Sequence, residues 1–352
     1  MTSTDAGGGP ELERAPLIPA FAAAGADPPA ELAALRHAAG LVDRSALSRL
    51  RVEGSVRAAY LHRVTAQSLA GLGPGAGARA ALLERTGKII DVATVLSFPD
   101  HLLWISAAGR GSAAAAALRR TIFRDDVRVV EETVRSALLL WTGPLAAAGL
   151  AGLLASGRAP VEPLTWEPLG GERVGGAVRL PPVEPAAFLV LAAAASAAAV
   201  AGVLVASVPG GMAVGDAAFA AWRVLHGVPE GECEIDAEAN PLELGLEDSM
   251  DLRKGCFTGQ EAIAKMITHH ALRRRLLGLR LAGHEPPPRK APLRSGADEV
   301  GWVTTGARLA ASEGAIALAL VRTESSAVGT RLQVAGGGEA EVVALPFAEA
   351  RE

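Results

Sequence analysis

The segment KGCFTGQEAIAKM, from Lys254 to Met266, brings a cysteine, a lysine and two glycines next to a glutamine–glutamate pair. Its Thr258-Gly-Gln-Glu261 portion has the S/T-x-x-E spacing of a capping box, which predicts that a helix begins at this point. The apolar residues that follow at helical spacing are expected to form the buried face of that helix, namely Ala262, Ile263, Met266 and Ile267.

Cys256 is the residue of this segment with the most evident chemistry. In a helix capped by Thr258 it would lie two residues before the cap, near the positive end of the helix dipole and close to Lys254, and both features favour thiolate over thiol. The alternative to a reactive thiol is a buried cysteine that only contributes to the packing in front of the helix. Gly255 and Gly259 permit tight turns whose free N–H groups could hold an anion.

Other candidate residues are scattered along the chain. Asp91 follows the strand-like TGKII and is either a buried carboxylate in a cleft or a residue at a strand end. Arg273–Arg275 could contact phosphate or form a solvated basic face near a helix end. His269 and His270 are adjacent, so they point in different directions on a helix, and zinc-ligand spacing is missing. Walker and Rossmann glycine motifs are also absent.

Composition restricts the class of protein. A length of 352 residues suggests two or three compact units. Half of the residues are hydrophobic, with alanine the most frequent among them, and only 4% are aromatic. The net charge of −4 argues against a nucleic-acid binder. Two cysteines, Cys233 and Cys256, are too few for a disulfide framework or an iron–sulfur cluster, which favours a cytoplasmic location.

A stretch without charged residues, from Pro185 to Gly215, is long enough to be tested as a membrane span. It is about half alanine in its central part and lacks flanking basic or aromatic anchors. We therefore expect a buried strand at Phe188–Leu191 followed by an alanine-rich helix. The acidic, glycine-rich beginning of the chain does not have the pattern of a secretory signal.

The order of the remaining patterns predicts an α+β fold. Residues 1–30 are expected to be a mobile tail, followed by a helix closing on Gly40. Strands and helices then alternate, and several strand pairs lie close enough to be antiparallel. GDAAFAAWRVLHGVP is predicted to be a helix with Asp216 as its cap and Gly227 as its stop. From Arg273 onward, short strands between turns predict a small terminal β domain, such as a barrel.

The KGCFTGQE run resembles the signature K-G-C-[FY]-x-G-Q-E of the YgfZ proteins, a folate-binding branch of the glycine-cleavage T-protein (aminomethyltransferase) superfamily. NPLELGLED, AWRVLHGVP, GLVDRSAL and LLERTGKIIDVATV are similar to other segments of that family and occur in the same order. The resemblance extends over about residues 30–345.

This resemblance implies a GcvT/YgfZ-like fold, with ferredoxin-like α+β units around a folate pocket in residues 31–272 and a small C-terminal β-barrel in residues 273–352. It implies tetrahydrofolate as the ligand. It also implies a role in the assembly or repair of iron–sulfur clusters, with client enzymes or cluster carriers as partners, including radical-SAM enzymes that modify tRNA. Neither direct nucleic-acid binding nor a membrane is expected.

Carried over by position, the resemblance assigns Cys256 and Lys254 to the functional motif and makes Asp91 a candidate catalytic carboxylate. The residues expected to bind the folate are Gly255, Gly259, Gln260, Glu261, Glu243 and Arg223. Aminomethyltransferases carry paired aspartates where this chain has Asp91 followed by Val92. The alternative function is a tetrahydrofolate-dependent aminomethyl or methyl transferase. Such a reaction needs a carboxylate near the folate amine, and Asp91 is the candidate for that carboxylate. A third hypothesis is an interaction module with an empty pocket.

Overall fold

The computed structural model describes residues 21–181, 184–231, 233–309, 314–335 and 338–348. Most of the predicted tail therefore lies outside the described residues, and the part that is described already enters a helix at Pro28. The seven α-helices of the described residues are α1 Pro28–His37, α2 Arg57–Val64, α3 Gly111–Arg120, α4 Ala146–Ala151, α5 Ala197–Ala206, α6 Asp216–His226 and α7 Gln260–Thr268.

The first sheet has five antiparallel strands in the order β3-β4-β5-β2-β6. These strands are β2 Arg49–Glu53, β3 Gly77–Leu83, β4 Ile89–Ser97, β5 His101–Ser106 and β6 Arg128–Glu131. The order β6-β2-β5-β4, with α2 and α3 as the connections, is that of a ferredoxin-like βαββαβ unit. Its helices cover one face, where Trp104 and Tyr60 are completely buried.

The second sheet has six strands in the order β11-β1-β7-β10-β9-β8. These strands are β1 Gly40–Asp43, β7 Ser136–Thr142, β8 Trp166–Pro168, β9 Gly175–Arg179, β10 Ala187–Ala193 and β11 Met212–Val214. It is a second ferredoxin-like unit in which β1 is inserted between β11 and β7, parallel to the former and antiparallel to the latter. The two sheets pack against each other through apolar side chains that include Leu96, Leu103 and Leu189.

The uncharged stretch from Pro185 to Gly215 forms the predicted strand and helix, β10 and α5. The helix spans 10 residues and buries Val200 and Leu204 in the core of the second sheet. Among the described residues, no helix is long and apolar enough to cross a membrane.

The last third of the chain forms a closed six-stranded barrel in the order β12-β15-β14-β13-β16-β17. Its strands are β12 Arg274–Leu281, β13 Pro292–Ser295, β14 Asp298–Arg308, β15 Ala315–Arg322, β16 Arg331–Val334 and β17 Gly338–Val343. Closure leaves no free sheet edge, and small side chains such as Ala317 and Ala319 fill the interior with Leu279. The predicted α+β fold with a C-terminal barrel is confirmed.

Two predicted helix ends are wrong and one is confirmed. The first helix ends at His37, and Gly40 instead begins β1. The N-cap of α6 is Gly215, which has extended backbone, so Asp216 is the first helical residue, where its charge faces the positive end of the dipole. Gly227 does end α6, in the left-handed conformation with φ 67° that glycine adopts without strain.

Candidate functional site

A cavity of about 180 Å³ lies between the two sheets, beside α6; we call it the central cavity. Both sheets and the helix contribute apolar side chains to its wall, among them Val92, Ile105, Leu140, Leu189, Phe219 and Trp222. Its charged lining residues are Arg44, Arg79, Arg223 and Glu230. An apolar wall with a few polar groups is the usual character of a small-molecule site.

Arg44 is one of the three cations in this wall. Its guanidinium lies over the Phe219 ring, 4.8 Å from the centroid, and forms an ion pair with Glu230. Burial, followed by the nearby positive charge of Arg223, lowers the pKa of Arg44 to about 10. Arg44 remains charged at neutral pH and gives the cavity a positive side.

Arg223, a predicted folate ligand, lines the cavity but is engaged by protein groups. It is 3% exposed, and its Nη1 donates to Glu234 Oε2 and to the Val228 carbonyl, each at 2.8 Å. Nη2 donates to the Thr305 hydroxyl of β14 at 2.6 Å, and Nε lies 3.3 Å from Glu230. The side chain therefore joins α6, the following loop and the barrel.

Trp222 also lines the cavity and is only 2% exposed. Its ring stacks on Phe219 with the centroids 6.0 Å apart. The indole Nε1 is buried and has no hydrogen-bond partner among the described residues. A buried donor without an acceptor is costly, so this N–H is a group that a bound ligand could satisfy.

Asp91 is completely buried in β4, one hydrogen bond away from the central cavity. Its Oδ2 accepts from Trp104 Nε1 at 2.9 Å and from the Ser106 hydroxyl at 2.7 Å. Its Oδ1 has no partner in the described part of the chain. Burial raises the pKa of Asp91 to about 6, against the lowering influence of the two donors. Ser106 lines the cavity, whereas Asp91 does not.

The alternation of side chains along β4 explains this position. Neighbouring strand residues face opposite sides of a sheet. Asp91 is directed towards Trp104, on the side covered by α2 and α3, and Val92 lines the cavity. The second aspartate of the aminomethyltransferase pair would occupy the position of Val92, so the cavity lacks a carboxylate there.

Cys256 is exposed and lies in a separate surface groove, which we call the cysteine groove. Its lining residues are Arg63, Arg85, Cys256, Phe257, Thr258, Gly259, Gln260 and Glu261, and none of them lines the central cavity. Gly259, Gln260 and Glu261, predicted to bind folate together with Arg223, are therefore placed in a different depression from Arg223.

The predicted capping box is wrong. The N-cap of α7 is Gly259, with φ 87°, and no side chain caps the helix. A Cβ at this position would lie 2.5 Å from the Glu84 carbonyl oxygen, so the helix start packs tightly on the β3–β4 turn and requires glycine. Glu261 is 83% exposed and pairs with Lys265 at 2.7 Å instead of reaching back to Thr258.

The predicted buried face of α7 is only partly present. Ile263 is fully buried and Met266 is half-buried, whereas Ile267 is 42% exposed. Cys256 lies three residues before the N-cap, one more than predicted.

The Lys254 ammonium is engaged by the His62 carbonyl and does not line the cysteine groove. It donates a hydrogen bond to that carbonyl and lies 5.7 Å from the centroid of the Phe257 ring. Burial lowers the pKa of Lys254. The adjacent Gly255 has φ 104°, and nothing lies within 4 Å of the Cβ position that an alanine would add. Lys254 and Gly255 thus precede the cysteine groove in the chain, and neither of them lines it.

Glu243 is placed in a third location. It is 5% exposed and holds the barrel, because its carboxylate accepts from Arg274 Nε at 2.8 Å and from Arg274 Nη2 at 3.1 Å. Its carbonyl accepts from the Leu276 N–H at 2.8 Å. It lines neither the central cavity nor the cysteine groove.

Sequence reasoning missed Arg44, Phe219 and Trp222 as lining residues of the cavity. A signal was available for the last two, since aromatic residues make up only 4% of the chain and these two lie three residues apart on one helix. For Arg44 the sequence carries no such signal, because its ring partner and its ion-pair partner are both distant along the chain.

Two ferredoxin-like units and a barrel therefore make up the fold, and the apolar cavity between the two sheets, with its charged lining residues, has the character of a small-molecule site. Residues 21–254 match the family model of the GCVT N-terminal domain, and residues 274–349 match that of the glycine cleavage T-protein C-terminal barrel domain. The chain belongs to the glycine cleavage T-protein family.

Similar proteins fall into more than one functional group. An aminomethyltransferase of Rubrobacter xylanophilus is 30% identical over 90% of this chain and 85% of its own length. A chloroplastic protein of Arabidopsis thaliana, provisionally named a transferase, is 25% identical over 87% of this chain and 71% of its own length. A mitochondrial iron–sulfur cluster assembly factor homolog of Neosartorya fischeri is 41% identical, but over only 19% of this chain and 15% of its own length.

Among solved structures, the glycine cleavage system aminomethyltransferase T of Bartonella henselae superposes with a TM-score of 0.79. The match covers 93% of this chain and 91% of that protein at 23% identity. At that identity the likeness establishes the fold.

Proposed function

We propose that this protein binds a tetrahydrofolate in the central cavity and acts as a folate-dependent factor that maintains iron–sulfur enzymes, with Cys256 as its reactive residue. The observation that carries the proposal is the exposed position of Cys256, in a groove that shares no lining residue with the central cavity. A thiol that must meet another protein has to be reachable from outside, whereas a thiol that attacks a bound cofactor has to face the cofactor.

Under this proposal the central cavity holds the head of a folate. A pterin has flat faces and a polar edge, which suits the Phe219 and Trp222 rings and the unsatisfied indole N–H of Trp222. The carboxylates of the tail would meet Arg44 and Arg79, which in the protein alone are paired with Glu230 and Asp248. The volume of about 180 Å³ is below the ~300–1,000 Å³ of pockets that enclose a whole drug-sized ligand, so only the head would be enclosed. When bound, tetrahydrofolate supplies a carrier of one-carbon groups.

Under this proposal the partners are iron–sulfur client enzymes or cluster carriers, including tRNA-modifying radical-SAM enzymes. The family relative named as an iron–sulfur assembly factor supports this assignment, as does the KGCFTGQE run. A cytoplasmic setting agrees with the two cysteines, Cys233 and Cys256, both of which are free.

Calorimetric titration with tetrahydrofolate tests the first half of the proposal. We expect saturable binding, weakened in Trp222→Phe, which keeps the ring packing and removes the N–H. As a matched control, Trp302→Phe removes an indole that does not line the central cavity and should bind as wild type does. If the wild-type protein does not bind tetrahydrofolate, the proposal is contradicted, and the hypothesis of an interaction module with an empty pocket is then favoured.

Cys256→Ala tests the second half. We expect the variant to fold and bind folate as the wild type does, while the activity of iron–sulfur enzymes in cells falls. Cys233→Ala serves as the matched control, and in wild-type protein the exposed Cys256 should alkylate faster than the half-buried Cys233. If Cys256→Ala supports the client enzymes fully, the cysteine is structural.

An aminomethyltransferase remains a second candidate because of Asp91. A carboxyl whose pKa is raised to about 6, linked by Ser106 to the cavity, is suited to accept and return a proton near neutral pH. The Rubrobacter xylanophilus aminomethyltransferase, matched over most of its length, supports the same candidate. The test is turnover of an aminomethyl donor with tetrahydrofolate. If the wild type turns the donor over, Asp91→Asn does not and Cys256→Ala still does, the protein is an aminomethyltransferase and the first function is wrong.

A further inference from the structure

A third depression, which we call the lateral cleft, has a volume of about 1,230 Å³ and is unrelated to either site above. It lies where the β3–β4 turn, the end of α7 and the barrel strands β12, β14 and β15 meet. No residue of the central cavity or of the cysteine groove lines it. Its size is enough for a short run of peptide side chains.

The acidic residues of the lateral cleft are already paired. Glu243 is held by Arg274 at 2.8 Å, and Glu238 is held by Lys290 at 2.8 Å. Glu324 lies 3.6 Å from Arg322. Each of the three carboxylates of the cleft therefore has a cation of this chain beside it.

Two further cations, Lys88 and Arg273, line the cleft with exposed side chains that make no hydrogen bond or close ion pair among the described residues. The pKa of Glu238 is lowered by Lys290 and, to a smaller extent, by Arg274 and Lys88, so Lys88 already lies near one carboxylate. Lys88 and Arg273 lie on different elements, the β3–β4 turn and the segment that follows α7. Together with Lys290, the four cations of the lining face three carboxylates, which leaves an excess of two positive charges to complement a ligand with at least two negative groups.

The uncharged lining residues of the cleft are mixed: Thr86, Asn240 and Thr323 are polar, and Met266, Ala271, Leu272 and Trp302 are apolar. Met266 and Leu272 are half-buried, and α7 leaves Ile267 exposed beside them. The Trp302 ring already has Arg274 at 4.9 Å and Lys290 at 4.6 Å from its centroid. Because these cations occupy the ring, it is poorly placed to stack on a nucleic-acid base, whereas apolar side chains of a peptide can pack on the methionine and leucine.

We propose that the lateral cleft is a docking site for an acidic peptide segment of a partner protein, with carboxylates at Lys88 and Arg273 and apolar side chains against Met266 and Leu272. The docking site operates whether or not folate is bound, so it stands independently of the function proposed above.

Fluorescence anisotropy with a labelled peptide of alternating glutamate and leucine tests this inference on the full chain. We expect saturable binding that weakens about tenfold in the double variant Lys88→Glu/Arg273→Glu, and that falls as salt is added, since exposed charge pairs are screened. A peptide of alternating lysine and leucine should not bind.

The matched control is Arg120→Glu/Arg331→Glu, which reverses two exposed charges outside the cleft and should bind as the wild type does. Circular dichroism establishes that both double variants are folded. Equal weakening in both double variants, or binding of the lysine–leucine peptide, would overturn the proposal. So would single-stranded RNA that displaces the acidic peptide from the wild-type cleft, because the site would then be a nucleic-acid surface.

Discussion

The buried carboxyl of Asp91 predicts an unusual dependence of stability on pH. Its pKa in the folded protein is raised to about 6 from an ordinary 3.8, because burial penalises the charged form. Between these two values the folded state holds the proton that the unfolded state has lost. The stabilising contribution of this group is therefore complete below about pH 4 and is lost as the pH rises towards 6 and above.

The two pKa values give the size of the effect. The full difference of about 2 units corresponds to ~3 kcal/mol in the free energy of unfolding. Between about pH 5 and about pH 8, the part assigned to Asp91 is a loss of ~1.4 kcal/mol. In Asp91→Asn this part disappears, because the amide still accepts from Trp104 and Ser106 but does not titrate. The amide N–H₂ of the variant would lie where Oδ1 has no partner, which leaves a buried donor without an acceptor. The free energy of unfolding of Asp91→Asn is therefore expected to be lower than that of the wild type.

Urea denaturation of wild type and variant at the two pH values measures the difference in slope. Asp126→Asn is the matched control, since Asp126 is exposed and its pKa is lowered by hydrogen bonds from Ser55. The stability that Asp126 contributes is lost only below the ordinary pKa of an aspartate. The control should therefore show the same change in the free energy of unfolding as the wild type between about pH 5 and about pH 8. If Asp91→Asn also keeps the wild-type change, burial does not raise the pKa of Asp91 and the argument for a carboxyl that exchanges protons near the cavity fails.

Two further predictions concern the frame that holds the sites. Gly259→Ala should lower the free energy of unfolding by about 1–3 kcal/mol in urea denaturation, because φ is 87° and the new Cβ would meet the Glu84 carbonyl oxygen at 2.5 Å. Gly255→Ala, at φ 104° with no atom within 4 Å of the new Cβ, carries strain alone, and an equal loss in both variants would contradict the packing argument. Arg223→Met should cost ~3–5 kcal/mol, since it leaves the completely buried Glu234 without its cation. The double variant with Glu234→Leu should recover part of that cost, and no recovery would mean that the pair is not coupled.

Much of the fold was predictable because its signals are local. The turn at Thr86-Gly87-Lys88 joins β3 and β4, and Gly87 has a left-handed φ of 79°. Gly227 ends α6 in the same left-handed conformation, which glycine adopts without strain. The barrel was visible as short strands between turns, but the pairing of its strands was not, because β13 pairs with β16 and β12 with β17 across long stretches of chain.

The start of α7 shows why a local rule can fail. Thr258 and Glu261 have the spacing of a capping box, but the position of the cap is decided by Gly259, whose approach to Glu84 fixes a left-handed backbone. That contact joins residues separated by about half the chain length and leaves no trace in the local pattern. A rule that considers four consecutive residues cannot include it.

The sequence predicted one site, and the structure separates it into several because the residues belong to different faces of the assembly. Asp91 and Val92 are neighbours in the chain, but they lie on opposite sides of a strand, so only Val92 lines the cavity. Cys256 and Arg223 belong to motifs close in sequence, but the loop between them carries the thiol to the outer surface. Reacting groups have to approach within about 3–3.5 Å, so a thiol in a separate groove is not arranged to react directly with a ligand of the cavity. A folate in the cavity and a partner at the thiol would then use two different faces of the protein, and this division of roles distinguishes the proposed factor from a transferase with a single active site.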